Sequence, residues 1–248
     1  RVKKILTGFR SENLITEDEL RQVQVAADWM KFDLSSRMVY EFPNLQGTMG
    51  GYYLKQLGLN QTICQSVSEH YWPRFAQDKI PQSLLGSILA LADKMDTLAG
   101  CFLVGLIPTG SQDPYALRRQ AIGVLRILEE NQIKISLRTV LEAVFEQAYA
   151  NFSEENQTEA FAKLRIFLQE RLENIWRTRG IDHDVIQAIV QAFFIDEFPD
   201  FSIATFTEKA VSLNQLKKTW SDFPRLVALT KRIKNILKGQ NKSGQVDE

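Results

Sequence analysis

Apolar residues along the chain recur at three- and four-residue intervals, and the polar residues between them carry helix start and stop signals. Thr16-Glu17-Asp18-Glu19 has the form of a capping box, with the Thr16 hydroxyl accepting from the Glu19 amide and the Glu19 carboxylate reaching back. It predicts a helix running to about Glu41, with Pro43 as the stop. Gly47, Gly50 and Gly51 then read as a turn-rich patch, ahead of a short helix over 61–71 that ends before Pro73. Beyond Pro81, the residues Leu84, Ile88, Leu91, Met95 and Leu98 form an apolar stripe and predict a helix over 82–102.

The second half continues in the same way. Residues 107–112 are turn chemistry, and Asp113-Pro114 reads as N-cap and first residue of a helix reaching Glu130. Leu117, Ala121, Leu125 and Leu128 are its expected inner face. Ser136 caps a helix to about Asn151, an amphipathic helix over 156–179 stops at Gly180, and Asp182 caps another over 183–194. Residues 194–201 read as non-helical, followed by helices near 206–213 and 224–237. No period-two run calls for a strand, so the expected fold class is all-α, with a boundary near 151–156.

Charge narrows the function. The chain balances 30 basic against 30 acidic residues, whereas a dedicated nucleic-acid-binding domain is usually basic. Any RNA contact must therefore come from local patches, and two are visible. Arg118, Arg119 and Arg126 fall on one predicted helix, and Lys231, Arg232, Lys234 and Lys238 on the last, with Lys217 and Lys218 upstream. Each group can neutralise a few phosphates, or can be a solvated face paired with residues such as Glu129 and Glu130. No apolar run reaches the roughly 18 residues of a membrane span. Cys64 and Cys101 lie in apolar runs, as expected of buried free thiols in a reducing cytoplasm. The chain opens on Arg1 rather than Met and closes on a polar stretch over 240–248, the pattern expected of a piece of a longer protein.

Catalytic chemistry finds little support. Asp93 and Asp96 share a helix face, as metal ligands or as structural partners of a cap or an arginine. Only two histidines are present, His70 and His183, too few for the usual helical metal hydrolase site. The His183-Asp184 doublet follows Gly180 and Asp182 and reads as a helix start. Cys64 and His70, six residues apart, face each other poorly for a nucleophile–base pair. The glycines of 47–51 follow no strand and lack the Lys-Ser/Thr ending of a phosphate loop. No catalytic residue and no metal are expected.

Residues 91–100, LADKMDTLAG, and 108–128, PTGSQDPYALRRQAIGVLRIL, closely resemble the β subunit of the heterotetrameric bacterial glycyl-tRNA synthetase. The segments MVYEFPNLQGTMGGYY at 38–53, YWPRFAQDKIP at 71–81, IDHDVIQAIV at 181–190 and KRIKNIL at 231–237 agree in order. The resemblance implies a β chain that binds tRNA-Gly beside an α subunit in an α2β2 enzyme, with ATP and Mg expected at the α subunit and no cofactor here. It implies a degenerate HD-like helical domain over 1–150 and a helical region over 151–248 leading into the anticodon-binding domain. Phe32-Asp33 stands at the place of the HD doublet and Asp93 at that of the distal aspartate; Phe32 has no lone pair for a metal. The implied RNA-binding residues are Arg118, Arg119, Arg126, Lys231, Arg232 and Lys234. Two alternatives remain open at this point: a metal-dependent HD-type phosphohydrolase, and a module that mainly binds the α subunit. No membrane and no DNA partner is expected, and the location is cytoplasmic.

Overall fold

The structure, a computed structural model, describes residues 1–110, 112–193 and 202–242. Its helices in chain order are α1 (Val2–Ser11), α2 (Glu17–Trp29), α3 (Arg37–Glu41), α4 (Thr48–Gln56), α5 (Gln61–Glu69), α6 (Leu84–Leu103), α7 (Leu117–Glu130), α8 (Leu137–Ala148), α9 (Glu154–Thr178), α10 (His183–Phe193), α11 (Ile203–Thr219) and α12 (Phe223–Lys242). Short 3-10 turns over Phe32–Ser35 and Pro43–Leu45 flank α3. Among the described residues extended pairing is limited to isolated bridges, Thr109 with Gln112 and Ser136 with Ser202, so the fold is all-α.

Side-chain caps set most of the starts. Thr16 and Glu19 form the full capping box of α2. Asn60, Ser83, Ser136, Ser153 and Ser202 each accept an amide in the first turn of the helix that follows. Such a cap is worth about 1 kcal/mol.

The frame is organised around α6. Every residue from Leu85 to Met95 is buried, on all sides of the helix, and α1, α2, α5, α7, α8 and α9 all pack on it. A helix apolar all round can sit only at the centre of a larger assembly of helices. The buried cluster runs without a break from Ile5 to Ala210. At the second end α10 packs on α9 and α11, and the indole N–H of Trp176 on α9 donates to Thr207 on α11 at 3.0 Å.

Several expectations need correction. The helix expected to reach Glu41 ends at Trp29, because Lys31 adopts a left-handed backbone (φ 64°) that no α-helix tolerates. The glycine patch at 47–51 is largely the helix α4, entered through Gly47 at φ 82°. Asp113 does cap the amides of Leu117 and Arg118, at 2.7 and 3.0 Å, but from outside the helix; α7 starts at Leu117 after Ala116 in the left-handed region. Leu84 is exposed rather than part of the inner stripe. Helix α1 had no counterpart in the pattern reading, and α11 is longer than expected. The non-helical reading of 194–201 lies outside the described residues.

The glycines of α4 permit a close helix crossing. A Cβ on Gly51 would stand 1.9 Å from the Ser68 hydroxyl and 2.7 Å from the Cys64 carbonyl oxygen. Within a free helix, Gly→Ala stabilises by roughly 0.5–1 kcal/mol. Here Gly51→Ala should instead destabilise by about 1–3 kcal/mol through overpacking, read as a lower urea midpoint. A midpoint that rises would show that α4 and α5 are not in this contact.

Candidate functional site

The positions that the HD comparison singles out converge beside α6, but their carboxylates are already engaged. Asp33 is fully buried and accepts from the backbone N–H of Gly47 at 2.6 Å and from the Tyr71 hydroxyl at 3.1 Å. It thereby caps the entry to α4, where the helix dipole favours a negative group. Burial pushes the Tyr71 phenol up, so it keeps its proton and remains a donor. Asp93 lies on α6 and holds the Lys31 ammonium at 2.5 Å. Lys31, which makes this ion pair, is also the residue in the left-handed region that leads into the 3-10 turn over Phe32–Ser35. Phe32 turns its ring edge-on to Trp29 and Tyr53, at 5.4 and 6.2 Å between centroids.

His70, Tyr71 and Lys94 complete the cluster; the sequence reading weighs His70 and sets it aside, and does not single out Tyr71 or Lys94. His70 is fully buried; its Nδ1 lies 2.6 Å from the Val67 carbonyl, and Nε2 has no partner among the described residues. Burial lowers its pKa to about 4, so the ring is neutral. Lys94 donates to the Tyr71 carbonyl at 3.2 Å and to Gln120 at 3.5 Å, and burial lowers its pKa to about 8. Its stem lies against Gly123, where an added Cβ would be 3.2 Å away. A lysine inside an otherwise apolar helical run was the one available signal.

This donor set does not fit a metal ion. One carboxylate is turned to an ammonium, the other to an amide and a phenol, and a phenyl ring stands where a histidine ligand would be needed. Among the described residues no group of three His, Cys, Asp or Glu side chains could hold a metal. A cleft of about 730 Å³ opens next to Asp93, but there too Asp96 is held by Arg1 at 2.8 Å and by the Tyr149 hydroxyl at 2.9 Å. His183 is exposed, and Asp182 and Asp184 beside it bind Lys217 at 2.9 and 2.7 Å. Burial raises the thiol pKa of Cys64 and of Cys101, away from a reactive thiolate.

The basic residues divide into two kinds. Arg126 is structural in its contacts: it pairs with Glu130 at 2.6 Å and donates to the carbonyls of Ala76 and Asp78 at 2.8 and 2.7 Å. Arg118 donates to the carbonyls of Gly110 and Gln112, which fastens the preceding loop. Glu129 is taken by Arg179. Arg119, Lys231 and Arg232 are exposed, with no carboxylate partner among the described residues. The backbone of Lys234 lies in α12; its side chain lies outside the described residues.

What this arrangement defines is a helical scaffold with neutralised carboxylates and a few free surface cations, and comparison with known proteins gives it a family. A family profile described as glycyl-tRNA synthetase beta subunit matches residues 1–191. The glycine–tRNA ligase beta subunit of Moorella thermoacetica is 46% identical over 172 residues, 68% of this chain and 25% of that protein. Those of Desulforamulus reducens and Bacillus subtilis are 38% and 37% identical over 224 and 216 residues, covering 90% and 87% of this chain and 31% and 30% of theirs. These matches put the chain among components of aminoacyl-tRNA synthetases. It belongs to the glycyl-tRNA synthetase β subunit family, and it spans about a third or less of the length of the curated relatives it matches. No helix of the described residues is long and apolar enough to cross a membrane.

The buried neutral His70 carries a pH signature. Its pKa is about 4 when folded, against 6.5 for the ordinary side chain, so between those values the unfolded chain binds more protons. Stability from this group is therefore full above pH 6.5 and is lost as pH falls towards 4, by a total on the order of 3 kcal/mol. Denaturation of the wild type and of His70→Asn across this range should show a flatter profile for the variant. Parallel profiles would mean that His70 is not buried neutral.

Proposed function

We propose that this chain is a tRNA-handling portion of a glycyl-tRNA synthetase β subunit, supporting the ATP-dependent glycylation of tRNA-Gly that an α subunit carries out. The family membership carries this reading. In it, ATP and Mg act at the α subunit, the assembly is α2β2, and its place is the cytoplasm. The division near residue 150 is one of descent and role, with an HD-like scaffold before it and helices leading towards an anticodon-binding domain after it. The buried cluster itself passes continuously across that position.

The donor set argues against the phosphohydrolase alternative, since both HD-position carboxylates already hold protein donors. RNA contact falls to side chains with no protein partner among the described residues, namely Arg119 on α7 and Lys231 and Arg232 on α12. Their guanidinium and ammonium groups can displace counterions from phosphates, which gives affinity without sequence readout. Arg118 and Arg126 instead fasten backbone carbonyls beside α7, those of Gly110 and Asp78.

One observation favours a second task. Leu226, Leu229, Ile233 and Ile236 recur at helical spacing along α12 and are exposed by 42, 51, 55 and 56%. An apolar stripe of this kind fits a protein contact, so α12 is also a place where the α subunit or further β sequence can dock. Co-purification of the α subunit with wild-type chain, lost on Leu229→Glu with Ile233→Glu, checks it.

For RNA, the triple variant Arg119→Glu, Lys231→Glu, Arg232→Glu should bind tRNA-Gly at least about tenfold more weakly at low salt. Its slope of log affinity against log salt should shrink by about 1 for each phosphate contact removed. Arg126→Glu should lower the melting temperature instead, because its partners are backbone carbonyls. Unchanged affinity and slope in the folded triple variant would sink the assignment of these residues.

A further inference from the structure

The glycine pair of α4 builds something besides a close crossing. Gly50 lies against Val67 and Asp33, and Gly51 against Cys64 and Ser68, so α4 meets α5 at a distance no Cβ would allow. The next residue, Tyr52, is turned outward and 54% exposed, with Lys55 one turn further on. The facing residues of α5, Gln61 and Gln65, are four apart and share one side of that helix. Between the two helices lies a cleft of about 280 Å³ lined by these four side chains, with Trp72 and Ser68 among its walls. That is just under the roughly 300 Å³ at which pockets begin to take drug-sized ligands, so it suits one small planar group.

The polar groups of the cleft fall into two sets. Glu69 is already engaged: its carboxylate accepts from Gln65 at 2.8 Å, from the amides of Gln82 and Ser83 at 3.1 and 2.9 Å, and from the Ser83 hydroxyl at 2.6 Å. Ser68 donates to the Cys64 carbonyl at 3.0 Å. Left without partners among the described residues are the Gln61 amide, the carbonyl of Gln65 and the ammonium of Lys55. Tyr52 meets Tyr53 edge-on at 6.2 Å, and through Tyr53 and the half-buried Phe32 the ring contacts run on to Trp29.

We infer that the cleft between α4 and α5 binds one unpaired nucleotide of an RNA, with the base stacked on Tyr52, its edge hydrogen-bonded by Gln61 and Gln65, and a phosphate paired with Lys55. An exposed aromatic face, the free Gln61 amide, the free Gln65 carbonyl and an uncompensated cation are the groups that single-stranded RNA recognition uses. The core of a protein interface is instead depleted in lysine and other charged residues. This inference rests on the tRNA-handling reading above and adds to it a site away from Arg119, Lys231 and Arg232.

The test is fluorescence anisotropy of the whole 248-residue chain with three probes: a tRNA-Gly transcript, a short single-stranded RNA of mixed sequence, and a blunt RNA duplex. Tyr52→Ala should weaken binding of the first two probes about tenfold and leave the duplex unchanged. Tyr52→Phe, which keeps the ring, should bind as wild type does, and the exposed position leaves melting temperatures alike. If wild type binds RNA and Tyr52→Ala binds it equally well, the cleft assignment is overturned while the tRNA reading stands. If wild type binds none of the probes, both fall. Loss of α-subunit capture by Tyr52→Ala with RNA affinity unchanged would make this a protein surface and also overturn it.

Discussion

A helix buried on every side cannot leave a charge uncompensated, and this constraint shapes the centre of the molecule. Helix α6 carries Asp93 and Lys94 next to one another in its fully buried stretch. The effective cost of desolvating each ion is several kcal/mol unless a partner is close. Asp93 obtains Lys31, and Lys94 obtains the Tyr71 carbonyl and Gln120. Tyr71 in turn donates to Asp33, and Asp33 holds the start of α4. One chain of polar contacts thus joins α6 and α7 to the segment before α4, and the departures of the backbone from simple helical order follow it.

The same contacts explain why the two carboxylates beside α6 do not form a metal site among the described residues. An ammonium at 2.5 Å from Asp93 supplies the positive charge that a cation would otherwise supply. An amide and a phenol do the corresponding work at Asp33. Phe32 joins an aromatic row rather than a ligand set. With these carboxylates engaged internally, the proposed recognition rests on surface cations, Arg119, Lys231 and Arg232, that have no carboxylate partner among the described residues.

Much of the fold was legible in the sequence because caps and stripes are local. Thr16, Ser136 and the Asp113 carboxylate act within a few residues of their own position, and the stripe of α6 needs only its own spacing. What escaped depends on distant partners. The left-handed residue Lys31 that ends α2 carries no local stop signal, and its ammonium pairs with Asp93, 62 residues away. Gly50 and Gly51 resemble turn glycines in sequence, and only the crossing with α5 shows them to be contact glycines inside a helix. For the candidate site, the sequence offered the arginines of α7 as a group. It could not show that Arg126 and Arg118 are occupied by carbonyls while Arg119 is free, since the Arg126 partners Ala76 and Asp78 lie 50 and 48 residues away. Tyr71 and Lys94 fall inside the segments that carry the resemblance, but neither residue's type or spacing shows that the two meet beside His70.

The central claim is that this chain contributes recognition of tRNA and no step of the chemistry. The most direct measurement compares two activities of the assembled α and β enzyme carrying the charge reversals on α7 and α12: glycine-dependent ATP–pyrophosphate exchange, which needs no tRNA, and glycylation of tRNA-Gly. The account predicts exchange at the wild-type rate and glycylation with a raised KM for tRNA. Exchange that falls together with glycylation, in an enzyme that still assembles, would contradict it.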